Sequence, residues 1–191
     1  MNLFARFKSS AQKLKSTKYL ALMATTIAMK VILSLLPFAR IPISQNLRIS
    51  FGYLIVAVEA AILGPVAGML SAAITDNVEF MLAPDGIYFP GYTLSAMLGS
   101  LVYALFLYER KVSVPRLIGA KVIVNLFVNV LLGSLWTSMM YSKGYIYYFM
   151  RSITKNVLML PIEITLLTIV FRLLLPYLQK KNLVIDQDSL K

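Results

Sequence analysis

Asp76, Asn77 and Glu79 interrupt an otherwise apolar stretch, and a carboxylate placed in hydrocarbon is costly enough to mark a binding or catalytic candidate. Asp76 and Glu79 are three residues apart and would be neighbours on a helix, so a carboxylate pair could do acid–base work. The chain contains no His and no Cys, which removes the imidazole base, the thiol nucleophile and the usual ligands of zinc, haem and iron–sulfur centres. No nucleophile or metal-ligand set accompanies the carboxylates, so an enzyme is not expected, nor any cofactor or metal. Hydrogen bonding to a ligand is the chemistry left to these groups. Asn125 and Asn129, at i and i+4, share one helix face and could join in it or glue helices together. Asp76 could instead form an internal ion pair with Lys30 or Lys155, and Glu59 and Glu163 read as structural polar contacts.

A second group of residues combines rings with cations. Phe51, Phe80, Tyr88, Phe89, Tyr92 and Trp136 fall near the ends of apolar runs, with a further Tyr cluster at 141–148, and Arg40, Arg48, Lys143, Arg151 and Lys155 accompany them against few acids. Rings at such positions form interfacial belts, but Arg beside aromatic rings also suits a planar, anionic organic ligand. The candidate substrate-binding set is therefore Arg40, Arg48, Phe51, Asp76, Asn77, Phe89, Tyr92, Asn129, Trp136 and Arg151. Arg151 is the first choice for a ligand carboxylate, followed by Arg40 and Arg48.

The elements that must position these groups are spans. With 191 residues, 59% hydrophobic and 14% charged, the chain carries more apolar surface than one soluble core of its size buries. Runs at 19–39, 47–63, 65–82, 90–108, 117–140 and 153–178 are each long enough, or nearly so, to cross a bilayer. An all-α membrane protein of six transmembrane helices is expected. Gly64-Pro65 separates the second and third runs so closely that they must form a tight hairpin. An even number of spans puts both termini on one side. That side would hold Arg6, Lys8, Lys13, Lys15, Lys18, Arg110, Lys111, Arg116, Lys180, Lys181 and Lys191, so both termini are expected in the cytoplasm.

The organisation follows: a basic N-terminal segment 1–18, one membrane domain 19–178 and a tail 179–191. The first segment alternates basic and apolar positions and suits an amphipathic helix on anionic lipid, or a plain topology signal. A cleaved leader is not expected. The net charge of +11 belongs to this topology rather than to nucleic acid, which is not expected as a partner.

In the first span Ala21, Ala24 and Ala28 make one small-residue stripe at 100° per residue, suited to close approach of another helix. Lys30 falls opposite that stripe, so if the stripe meets a partner, Lys30 faces the bundle interior.

Three stretches carry a resemblance: Leu47-Arg-Ile-Ser-Phe-Gly-Tyr-Leu54, Leu63-Gly-Pro-Val-Ala-Gly68 with Asp76, and Tyr88-Phe-Pro-Gly-Tyr-Thr-Leu-Ser95. In this order they resemble the substrate-binding (S) components of energy-coupling factor vitamin transporters, most closely the folate-specific members. The Ala24-x-x-x-Ala28 pair is similar to that family's small-residue motif, which meets a membrane scaffold subunit. The resemblance implies a six-helix subunit in a bacterial plasma membrane that binds folate from outside and associates with the scaffold and two ATPases. It assigns the Ala21, Ala24 and Ala28 face to the scaffold. The chain has no G-x-x-x-x-G-K-[ST] loop, so ATP-derived energy would come from those partners. Another planar anionic vitamin is the alternative ligand. A homo-oligomeric channel is disfavoured because no span carries a repeated polar stripe.

Overall fold

The computed structural model describes residues 2–36, 40–44, 47–84 and 86–185, with backbone alone for 40–44 and 47–50. Its order is α1 (Leu3–Lys13), α2 (Thr17–Leu35), a hairpin of β1 (Arg40–Ser44) and β2 (Leu47–Ser50), then α3 (Gly52–Leu82), α4 (Pro90–Leu107), α5 (Val114–Met140) and α6 (Tyr145–Lys180). Helices α2 to α6 are long and apolar enough to cross a membrane. One of them, α3, is bent double.

The bend is at Gly64, whose φ of 81° and ψ of −171° lie in a region open essentially to glycine alone. It divides α3 into α3a (52–63) and α3b (65–82). Ser71 Oγ donates to Glu59 Oε1 at 2.5 Å, and a Cβ on Gly68 would lie 3.8 Å from Ala60 Cα. A straight helix would separate these pairs by roughly 18 and 12 Å, so the arms fold back on each other. Small buried residues, among them Ala57, Ala60, Ala61, Ala67 and Ala72, let the two backbones approach. The expected 64–65 hairpin is thus present, and among the described residues the bundle has six apolar helical segments.

Two expectations need correction. The run beginning at Leu47 is not helical throughout: Leu47–Ser50 pairs antiparallel with Arg40–Ser44, Ile41 opposite Ile49, and the helix begins at Gly52. Period-two alternation with β-branched Ile on both sides favours strands there, a pattern that mean hydropathy over the run conceals. The last helix starts at Tyr145 rather than near 153, because the aromatic segment 145–149 continues the helix.

α1 closes one end of the bundle. Arg6, Ser10 and Lys13, at i, i+4 and i+7, share one face and satisfy backbone groups that helix ends leave without partners. Ser10 Oγ accepts from the N–H groups of Val66 and Ala67 at 3.0 and 3.1 Å and donates to Leu63 O at 2.7 Å. It therefore caps both sides of the Gly64 break. Lys13 Nζ donates to Ile62 O, and its pKa is pushed down to about 8 chiefly by burial. Arg6 donates to the carbonyls of Ala104, Leu105 and Tyr108 at the end of α4. The amphipathic helix expected on lipid is thus docked through its polar face, with Leu3 and Phe4 outward.

The central core joins Ala57, Ala60, Tyr103, Ala104, Leu107, Leu117, Val124, Leu167 and Phe171 from α3a, α4, α5 and α6. Within α5, Val124–Leu132 forms a π-helix, a conformation that is rare and concentrates at functional sites. Ile32, Leu158 and Leu173 point outward, as side chains facing lipid do.

Candidate substrate-binding site

A cavity of about 260 Å³ lies between α2, α3, α4 and α5. Its walls are Tyr53 and Val56 of α3a, Thr75, Asp76 and Glu79 of α3b, Ser95, Gly99 and Tyr103 of α4, Lys121, Val128 and Asn129 of α5, and Lys30 of α2. Mostly apolar walls with a few placed polar groups are what a small-molecule site requires.

Asp76 belongs to this cavity. Its Oδ2 accepts from Thr93 Oγ1 at 2.6 Å, and among the described residues it has no lysine partner. Lys30 is paired elsewhere, with Nζ 2.5 Å from Glu59 Oε2 and 3.1 Å from Ser71 Oγ. Thr26 Oγ1 also donates to Glu59 at 2.5 Å. Asp76 thus stays available to a ligand while Glu59 takes the structural role expected of it.

A second polar chain crosses the opposite part of the bundle. Asn129 Nδ2 donates to Asn125 Oδ1 at 3.1 Å, Asn125 Nδ2 donates to Glu163 Oε2 at 2.7 Å, and Lys121 Nζ lies 3.2 Å from the same carboxylate oxygen. The Lys121 ammonium also sits 3.7 Å from the centre of the Tyr53 ring, within cation–π range. Asn125 is therefore helix glue, whereas Asn129, one turn nearer the β-hairpin, reaches the cavity wall.

Phe89, Tyr92 and Trp136 form one ring cluster, with centroids 5.6 Å apart for Phe89–Trp136 and 6.3 Å for Phe89–Tyr92. Trp136 Nε1 donates to Ser95 Oγ at 2.9 Å, which joins the cluster to a cavity wall. Gly91 makes the close packing possible: a Cβ there would stand 2.4 Å from Phe89 and 2.6 Å from Trp136. Asn77 lies apart, accepting from Tyr88 Oη at 2.9 Å and donating to Ala73 O. Phe51 is half-buried at the start of α3, next to cavity residues Gly52 and Tyr53. Arg151 stands beside Tyr147 one turn earlier on α6 and does not line the cavity. Arg40 and Arg48 are in the hairpin, and their side chains lie outside the described residues.

The sequence reading passed over Tyr53, Ser95, Tyr103 and Lys121. Lys121 was detectable, since with Asn125 and Asn129 it completes an i, i+4, i+8 stripe through an apolar span. On α2, Ala21, Ala24 and Ala28 are exposed and Lys30 is buried, which agrees with the stripe facing away from the bundle.

Residues 18–171 match the family described as ECF transporter, substrate-specific component. The folate transporter FolT of Clostridium novyi is 31% identical over 150 residues, covering 78% of this chain and 86% of the relative. That of Leuconostoc mesenteroides is 30% identical over 155 residues, covering 78% and 81%. A crystal structure of FolT bound with folic acid superposes with a TM-score of 0.70 at 32% identity, covering 78% of this chain and 88% of that one. With a bundle of apolar helices around a cavity of mostly apolar walls and a few polar groups, this chain belongs to the substrate-specific components of ECF transporters, a family of membrane transport subunits rather than enzymes.

Proposed function

We propose that this chain is the folate-binding subunit of an ATP-driven importer, taking folate into the cavity between α3, α4 and α5. The observation that carries the reading is Asp76 on one wall and Lys121 with Asn129 on another, below a Phe89–Tyr92–Trp136 ring cluster. Folate joins a flat pterin to a benzoyl ring and a glutamate tail with two carboxylates. The pterin presents N–H donors on one edge and acceptors on another, so a carboxylate and a cation–amide pair on separate walls suit it. A cavity of about 260 Å³ is slightly below the roughly 300–1,000 Å³ of pockets that enclose drug-sized ligands. The rings would be enclosed and the tail held at the mouth, where Arg151, Arg40 and Arg48 are the candidate partners for its carboxylates. The similarity to FolT with folic acid supports the same ligand.

In this reading the subunit sits in a bacterial plasma membrane with both termini cytoplasmic, and the Ala21, Ala24 and Ala28 face meets a scaffold subunit that works with two ATPases. The distribution of basic residues supports the orientation, and the exposed small-residue face supports the contact. The test is mass spectrometry of small molecules released from the protein purified without added vitamin. Folate or a reduced folate is expected. Recovery of a different planar vitamin would overturn the substrate while leaving the family membership in place.

A further inference from the structure

Tyr103 is 1% exposed, lines the cavity, and its hydroxyl has no hydrogen-bond partner among the described residues. Buried phenols ordinarily have one. Packing does not require the oxygen, because a Phe ring would fill the same place in the central core. Lys121, also 1% exposed, lines the same cavity from α5. Its ammonium has three N–H donors, of which Glu163 Oε2 engages one at 3.2 Å while the Tyr53 ring covers another side. The ion pair neutralises the charge without exhausting the donors. Both groups stand far from the β-hairpin end: Tyr103 is thirteen residues into α4, about 20 Å by helical rise. Around them stand Tyr53, Val56, Gly99 and Val124 of the cavity lining, with the Glu163 carboxylate against Lys121. Two buried hydrogen-bond donors thus lie at this end of the cavity, and the carboxylate acceptor Asp76 stands on a different wall.

We propose that Tyr103 Oη and Lys121 Nζ form a donor floor that recognises the acceptor edge of the ligand's bicyclic ring, its carbonyl oxygen and neighbouring ring nitrogen, while Asp76 takes the N–H edge. This rests on the folate reading and deepens it by assigning polarity to the two sides of the cavity. It also makes the floor a determinant of specificity. A ligand with an amino group in place of the ring carbonyl would bring donor against donor at Lys121, whose ammonium cannot accept, and a buried donor without an acceptor is penalised.

The test is Tyr103→Phe in the full-length protein, with three readings: melting temperature without ligand, affinity for folate, and affinity for the 4-amino analogue of folate. The parent is titrated alongside. We expect the parent to bind folate and to discriminate against the analogue. Tyr103→Phe should melt no lower than the parent and bind folate roughly tenfold more weakly. Unchanged folate affinity in the variant, or a parent that binds the analogue as tightly as folate, overturns the floor and leaves the folate reading standing. A lowered melting temperature with parental affinity also overturns it, since the hydroxyl would then be structural. A parent that binds no folate overturns the folate reading and the floor together.

Discussion

Lys30 Nζ lies 2.5 Å from Glu59 Oε2, with the two side chains 3% and 0% exposed. The pair ties α2 to α3a, and hydroxyls from Thr26 and Ser71 complete the hydrogen bonding of the carboxylate. Breaking a buried pair by removing one charge costs far more than replacing both partners. Glu59→Gln is therefore expected to destabilise the protein by roughly 3–5 kcal/mol, and a Glu59→Met/Lys30→Met double variant to recover most of that loss. Thermal unfolding in one detergent checks both. A Glu59→Gln variant melting with the parent would show that the pair contributes no net stability.

Asp76 should behave differently because its hydrogen bond comes from Thr93 and not from a buried ammonium. Asp76→Asn keeps the shape and strands no charge, so its melting temperature without ligand should stay close to the parent's. Its affinity for folate and for an isolated pterin should fall by about one to two decades, the loss of a charge-assisted contact of roughly 1.5–3 kcal/mol. A variant that melts much lower yet binds both ligands normally would remove Asp76 from the site.

The contrast between these two carboxylates also shows what the sequence could reveal. Lys30 was placed inside by its position opposite Ala21, Ala24 and Ala28, Glu59 and Glu163 were legible as structural contacts, and Gly64-Pro65 marked the bend. Which acid Lys30 would choose was not legible, because pairing across helices depends on their rotation and depth. The β-hairpin was hidden because hydropathy sums Leu47–Ser50 with the helix that follows. The π-helical segment of α5 has no composition of its own. The docking of α1 depends on the helix ends it meets, which Arg6, Ser10 and Lys13 alone do not announce.

Gly64 and Ser10 make that docking testable. Gly64→Ala would place a Cβ 2.7 Å from the Tyr108 ring in a conformation reserved for glycine. The backbone strain alone should be of order 1–3 kcal/mol. Ser10→Ala removes a cap from the same break and should cost about 1 kcal/mol. Melting curves for both variants, with parental stability as the contrary result for either, measure whether α1 and the bend act as described.

The exposed face of α2 leads to a separation of binding from assembly. Ala24→Leu or Ala28→Leu adds bulk on the side away from Lys30 and the cavity. Folate affinity should remain within about twofold of the parent, while co-purification with the scaffold subunit is lost, since close helix approach tolerates no added bulk. Intact assembly in both variants would assign the stripe to lipid contact.

The cavity walled by Asp76, Tyr103, Lys121 and Asn129 is the proposed folate site. It is tested most directly by calorimetric titration of the detergent-purified protein, stripped of bound small molecules, with folate. Saturable binding of one folate per chain, weakened in Asp76→Asn, is the expected result. Absence of saturable folate binding by a stripped protein that retains its folded melting transition would contradict it.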